Sequence, residues 1–508
     1  MSRVVGAALL GVDGVAVEIE VRISSQLPRV DIVGLPEAAV RESAARVRAA
    51  IAGTGLPFPK QRVTVNLAPA EMRKSGAGLD LPIAVGILVA SGTLEASRLA
   101  GLGLVGELAL DGRLRSVRGA LALCLAARDA GCRRVIVPSE NASEAALTPG
   151  LEVLSAPDLS GVTAYLQAGA ELPHARAALA PASPEPSHDL ADVRGQERAK
   201  RALEVAAAGG HALLLRGAPG CGKTMLAHRL QGLLPALDFD EALEVTRIHG
   251  AAGQLSKCVP IVSERPFRAP HHTASTAGLL GGGQPPRPGE ISLAHRGVLF
   301  LDELPEFERR TLEALRQVIE AGRIVVARAR ISCVFPARFQ LVAAANPCPC
   351  GWQGSGRRDC RCDDGAMARY AARISGPLLD RIDLQVAVRP VAWRELDAGP
   401  AGPTSREVGA RVLEARRHQE RRSHSAWRTN AEIPDQVVDE LVDATPEARA
   451  LLGRAVEGLG LSARAARRVL RVGRTIADLA GEKRTGPAAI AEALGYRDDW
   501  SGGATSAR

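Results

Sequence analysis

Gly217-Ala-Pro-Gly-Cys-Gly-Lys-Thr224 carries the most specific chemistry in this 508-residue sequence. The spacing G-x-x-x-x-G-K-T lets the backbone N–H groups of Gly217, Ala218, Gly220, Cys221 and Gly222, with Pro219 shaping the turn between them, wrap around an anion at a helix N-terminus. Lys223 would bridge the β- and γ-phosphates of ATP, and the Thr224 hydroxyl would ligate Mg²⁺. Downstream, Gly297-Val-Leu-Phe-Leu301 ends in Asp302 and Glu303. Two carboxylates at the C-terminal edge of a buried strand lie where α/β sheets put their ligands. Asp302 would hold the Mg²⁺ shell and Glu303 would polarise the attacking water. Asn346 ends a third apolar run, Phe339–Ala345, and could orient that water; read alone, it could as well open the turn before Pro347. Arg381 stands between Asp380 and Asp383, either paired to them or offered to a transferring phosphoryl group.

A second constellation is Cys348, Cys350, Cys360 and Cys362, four of the nine cysteines within fifteen residues. The glycine-rich stretch between the two pairs can fold them together, and four thiolates make a closed, structural Zn²⁺ site. Reduced thiols in a loop are the competing reading, because the C-x-C spacing is tighter than the usual C-x₂₋₄-C. Cys221 lies inside the phosphate loop and is oxidation-sensitive rather than a ligand.

The elements that must position these groups follow from periodicity. His211-Ala-Leu-Leu-Leu-Arg216 reads as a short buried strand feeding the loop, and Met225-Leu-Ala-His continues a helix beyond it. Residues 1–170 alternate β-rich runs (Val15–Ile23, Arg62–Leu67) with helical ones (Ala38–Ala52, Gly119–Ala130), an α/β region. The stretch 171–188 contains Pro173, Pro181, Pro184 and Pro186 without apolar periodicity and reads as a linker. A second α/β region spans 189–392, and 403–500 reads as helices with basic faces. Thr404–Asn430 holds seven arginines against three glutamates, and Arg464, Arg468 and Arg471 share one helical face. That face is either a solvated surface or a set of phosphate contacts.

Composition narrows the class. Hydrophobic residues at 46% and charged residues at 24% describe a globular chain too long for one core. No apolar run approaches the ~18 residues of a membrane span, and the N-terminus lacks a signal-peptide layout, so the expectation is a cytoplasmic protein with no membrane partner. The net charge is +8, and only six of the 64 basic residues are lysine. GC-rich coding produces the same bias, so charge alone proves no nucleic-acid partner. Aromatics at 3% are too few for a protein that grips single strands by stacking. DNA, if bound, would be held through arginine on phosphate.

Several strings together resemble one family closely: Arg268-Ala-Pro-His-His-Thr-Ala-Ser275, Pro288-Gly-Glu-Ile-Ser-Leu-Ala-His295, Ala345-Asn-Pro-Cys-Pro-Cys-Gly351, Arg373–Asp383, Leu461-Ser-Ala-Arg464 and Arg474–Ala480. The chain resembles the YifB/ComM group of magnesium-chelatase-like AAA+ ATPases over nearly its full length. The resemblance implies an AAA+ P-loop core at 189–392 with an inserted helix and a pore-facing hairpin, then a helical lid, in a ring of identical subunits, commonly hexameric. It implies ATP and Mg²⁺ as ligands and Arg381 as a guanidinium completing a neighbour's site. Arg464 matches the position of a second sensor arginine facing the nucleotide. ComM-type members are associated with natural transformation, as ring helicases promoting branch migration in recombination. In the hairpin Arg323–Arg338, Arg328 and Arg330 would then track DNA phosphates, or simply decorate a solvated tip. A protein-remodelling ATPase that uses the N-terminal region as a substrate adaptor is the rival, although Gly278–Gly289 offers no aromatic pore loop of the kind that threads polypeptides.

Residues 1–170 resemble the peptidase domain of Lon (an S5 domain 2-like α/β fold) through Lys74-Ser-Gly-Ala-Gly78, Gly106–Arg113 and Val135–Asn141. Lon chemistry needs a serine and a lysine base. Here Gly78 stands at the serine position and Leu121 near the lysine position, and no lysine occurs between Lys74 and Lys200. Ser75, as a shifted nucleophile, still lacks a base. A non-catalytic scaffold or DNA-guiding domain is expected.

Overall fold

The computed structural model describes residues 1–74, 76, 78–177, 188–255, 261–328, 331–398, 402–424 and 427–497. Ser75, Arg330 and most of the expected linker lie outside them.

The β-rich N-terminal runs form a seven-stranded mixed sheet in the spatial order Val30–Val33, Arg62–Ala68, Asp13–Ser24, Ser2–Leu10, Leu102–Leu104, Arg134–Pro138, Glu152–Ala156. Its backbone is the antiparallel pair Ser2–Leu10 and Asp13–Ser24, in register from Ser2↔Val21 to Leu10↔Asp13. Helix Asp80–Ala90 packs on this pair and is buried from Asp80 through Leu88, as its uniformly apolar sequence requires. Gly78, just before it, faces the apolar side chains of Val117 and Leu123, and Leu121 is fully buried. The Lys74 ammonium is buried and donates to the carbonyls of Gly34 (2.9 Å) and Pro69.

The second sheet has five parallel strands in the order Phe267–Arg268, Val298–Leu301, Gln340–Ala345, Leu213–Arg216, Leu384–Ala387. Its inner strands are buried along their lengths, which explains why they read as continuous apolar runs rather than alternations. Two insertions project from it. One is helix Thr276–Leu280 with a short ladder, Gly281–Gly282 against Arg287–Pro288. The other is the expected hairpin, Arg323–Arg328 against Ile331–Pro336, registered from Arg323↔Pro336 to Arg328↔Ile331. Beyond the sheet come helices Ser405–Arg422, Val438–Val442, Pro446–Leu459, Ala463–Leu479 and Pro487–Leu494. The first is started by a capping box in which Thr404 and Glu407 satisfy each other's backbone N–H groups.

The two sheets are joined by packing. Val12, in the turn between the first two strands, is fully buried in a cluster with Ile248, Cys333 and Phe335 from the nucleotide-sheet half of the chain. Asp13 pairs with Arg247 at 3.2 Å. Leu121 and Leu147 pack with Ala242 and Ile261, against helix Phe239–Ala252. Glu144 sits in the same contact, accepting from the Leu121 N–H at 3.1 Å and lying close to Gly250. Burial pushes its carboxyl up to about 7 against the pull of that amide and of Asn141. A raised carboxyl favours the protonated folded state, so the folded chain loses stability as pH rises from the ordinary carboxyl range through 7. Glu144→Gln should therefore match or fall below wild type at pH 4.5 and exceed it at pH 8, by about 3 kcal/mol at the upper bound. Thermal unfolding at the two pH values checks this.

Candidate active site

Gly222 opens helix Lys223–Gln231 at φ +93°, a conformation that a side chain would oppose. The helix N-terminus thereby faces the C-terminal end of Leu213–Arg216, and Gly217 N–H donates to Ala345 O at 3.1 Å, tying the phosphate loop to the neighbouring strand. Lys223 Nζ is nearly buried and donates to Gly217 O (2.7 Å), Ala218 O (3.0 Å) and Asn346 Oδ1 (3.0 Å). Burial lowers its pKa, with Cys221, Asp302 and Glu303 opposing. Thr224 Oγ1 donates to Asp302 Oδ2 at 2.8 Å. Cis oxygens on an octahedral Mg²⁺ with ~2.0–2.1 Å bonds stand about 2.9 Å apart, so these two fit a shared ion. Glu303 has φ +52°, a strained conformation for a non-glycine residue of the kind that collects at working sites.

The sheet thus brings together five of the expected groups: Lys223, Thr224, Asp302, Glu303 and Asn346. His272, within the string Arg268–Ser275, joins them. Its Nδ1 lies 3.2 Å from Glu303 Oε2. Parallel pairing of Arg268 with Leu299 sets the two at the same height, each four residues further on. The signal was there in that shared offset, but it requires the strand pairing to be known.

Arg381 lies elsewhere. It precedes Leu384, which pairs with Leu213 at the start of the strand whose end carries Gly217. At ~3.3 Å per residue, this places Arg381 roughly 20 Å from the phosphate loop of its own chain, at the opposite edge of the sheet. Its guanidinium is 5% exposed, pairs with Glu320 and donates to Pro377 O at 2.5 Å, while its Nε has no partner. Burial lowers its pKa, and Arg316, Arg464 and Arg468 lower it further. Arg464, exposed in the first turn of Ala463–Leu479, thus belongs to the Arg381 edge. A cavity of about 610 Å³ opens there, lined by eight arginines and four acidic residues.

The basic helical face is mostly committed internally. Arg468 pairs with Asp383 at 3.0 Å, Arg471 with Asp435 at 2.5 Å, and Arg467 with Asp435 at 3.3 Å. Arg474 is 1% exposed and bonds Asp478 and Thr485. Burial would raise the Asp383 carboxyl, but Arg468 and His211 outweigh it and hold it well below the usual carboxylate range. Of the hairpin arginines, Arg330 lies outside the described residues and Arg328 is placed by its backbone alone. The four cysteine sulfurs lie within 4.8 Å of one another. Cys348–Cys350, Cys348–Cys360 and Cys350–Cys360 are separated by 3.4, 3.7 and 3.6 Å.

Comparison with known proteins now bears on these groups. A family model described as magnesium chelatase, subunit ChlI, matches residues 189–396, its C-terminal companion matches 402–497, and a model for subunit ChlI of Mg-chelatase matches 19–141. Competence protein ComM of Haemophilus influenzae is 45% identical over 503 residues, 98% of this chain and 97% of its own. The protein YifB of Escherichia coli is 46% identical over 497 residues, 96% of each chain.

The chain belongs to the YifB/ComM family of magnesium-chelatase-like AAA+ ATPases.

A magnesium-chelatase 38 kDa subunit of Cereibacter sphaeroides is more distant, 28% identical over 170 residues that cover 30% of this chain and 51% of its own. Family membership implies an ATPase with ATP and Mg²⁺ as ligands, and AAA+ proteins are typically oligomeric. Among the described residues no helix is long and apolar enough to cross a membrane.

The Asp383–Arg468 pair ties the sheet to the YifB/ComM C-terminal helices, and removing one partner leaves the other charge in a largely buried place. Asp383→Ala should cost about 3 kcal/mol or more, with Asp383→Leu/Arg468→Met recovering part of it. Urea unfolding of the single and double variants measures both.

Proposed function

We propose that this chain is an ATP-driven DNA motor, a homo-hexameric ring that promotes branch migration of recombination intermediates. The observation that carries the ring is the separation of the two edges of the sheet. Lys223, Thr224, Asp302, Glu303 and Asn346 stand at one edge, and Arg381 with Arg464 at the other, so that a complete site requires two subunits. Arg381 and Arg464 would then face the phosphates of the neighbour's ATP, Arg381 from a cavity whose lining carries more arginines than acids.

In this reading the Lys223 ammonium exchanges its loop carbonyls and Asn346 for β- and γ-phosphate oxygens. Thr224 and Asp302 hold Mg²⁺, which neutralises developing phosphate charge when bound. Glu303, turned from His272, accepts a proton from the water that Asn346 orients, and the neighbour's Arg381 stabilises the transferring phosphoryl group. Zn²⁺ belongs to the four cysteines: sulfurs on a tetrahedral zinc at ~2.3 Å stand about 3.8 Å apart, close to the separations found.

DNA as the polymer is supported by the ComM relative, a competence protein by name, and by the arginine-bearing hairpin. Competence implies uptake and recombination of DNA, and branch migration is work a ring motor does. The N-terminal α/β region would serve as a Lon-like scaffold without peptidase chemistry, given the apolar surroundings of Gly78 and the carbonyl-bound Lys74. Protein remodelling is favoured by one observation: Val325 and Val334, paired across the hairpin, are 57% and 44% exposed, an apolar pair that could grip polypeptide.

The purified chain should move a labelled four-way DNA junction with ATP, whereas Glu303→Gln should bind ATP but hydrolyse it ~10²–10⁴-fold more slowly and move nothing. ATPase activity unresponsive to any DNA, with no junction movement, would overturn the DNA reading in favour of a polypeptide substrate.

A further inference from the structure

We propose that the cysteine loop is a metal-set clamp on the phosphate loop: zinc at Cys348, Cys350, Cys360 and Cys362 fixes Gly351 against Pro219, and ATP binding depends on that contact. The inference rests on the zinc reading above.

The loop starts two residues after Asn346, the residue that accepts from Lys223 Nζ. From there to helix Asp364–Ala371 the chain forms neither helix nor strand. Ordering so long an irregular stretch costs conformational entropy that weak thiol hydrogen bonds cannot offset. A closed four-sulfur metal site can, because binding free energy becomes folding free energy. Cys348 is fully buried and anchors the cluster to the protein, while Cys350, Cys360 and Cys362 are half-buried.

The ordered loop then touches the phosphate site. Gly351 has φ +82°, and a Cβ built on it would stand 2.8 Å from both Cγ and Cδ of Pro219 and 3.9 Å from Asn346 Cγ. The backbone at Gly351 therefore lies too close to Pro219 for a side chain to fit between them. Gln353, Gly354 and Ser355 continue across, lining a cavity of about 330 Å³ together with Gly217 and Ala218. Arg357 Nη2 donates to Val391 O at 3.2 Å, closing the span on the far side. Held by four thiolates, a zinc ion would have a structural role and would take no part in the reaction. What it supplies is the position of Gly351.

The test compares the full-length protein with Cys360→Ser/Cys362→Ser and with Gly351→Ala, measuring zinc per chain by atomic emission and ATP affinity with a fluorescent ATP analogue. Wild type should hold one zinc. The double cysteine variant should lose it and bind the analogue about tenfold or more weakly. Gly351→Ala should keep its zinc and weaken the analogue by a similar factor, which separates the contact from metal-dependent folding. Zinc-free wild type, purified without chelator, would overturn both the zinc reading and the clamp. Zinc-loaded wild type whose two variants bind the analogue normally would overturn the clamp and leave the zinc reading standing.

Discussion

Strand Leu213–Arg216 is hydrogen-bonded on both sides, residue for residue, to Val342–Ala345 and to Leu384–Ala387, and all else at the site depends on this double pairing. Being parallel, the three strands end together, so Gly217, Asn346 and the turn after Ala387 meet at one edge. They also begin together, which sends Arg381 to the other. Strands this short and mostly apolar suffice because both faces are covered, and the buried amide of Gln340 is satisfied by Ala206 O and His211 O rather than by the ladder. One subunit therefore cannot bring its own Arg381 to its own phosphate loop without unravelling the sheet. In the proposed ring, a shared site would be a consequence of the register rather than an added device.

The lower edge is held by buried polar chemistry. Asp383 accepts from Arg468 and from Ala212 N–H and faces His211, whose other ring nitrogen meets Thr475 at 2.8 Å. Asn430 and Asp478 continue the network to Arg422 and Arg474. Partners are present for these charges, so the C-terminal helices are fixed to the strand beginnings and carry Arg464 with them. At the upper edge Lys223 is held by Asn346, Thr224 by Asp302, and Glu303 lies against His272. In the proposed mechanism each of these groups would change partner when phosphate binds.

What was legible in the sequence is what local order determines. Gly217–Thr224 could be read because strand, loop and helix are contiguous, and Asp302, Glu303 and Asn346 because each ends an apolar run. The C-terminal arginines were only half legible: Leu461–Thr475 contains no acid, Asp478 follows one turn beyond it in the same helix, and the partners Asp383 and Asp435 arrive from other segments through folding. The same limit hid His272, whose meaning lies in strand register, and Gly351, whose contact with Pro219 spans more than a hundred residues of chain. The cysteine cluster was legible as a set, but not its place against the phosphate loop. Val12 gave no sign that the turn of an N-terminal hairpin would be buried against Phe335.

The most direct measurement of the central claim is ATP hydrolysis by mixed rings of Lys223→Ala and Arg381→Ala subunits, each inactive alone. Sites completed across an interface predict recovered activity on mixing, because some interfaces then pair an intact phosphate loop with an intact Arg381. Mixtures as inactive as the separate variants, with subunit exchange confirmed by labelled chains, would contradict it.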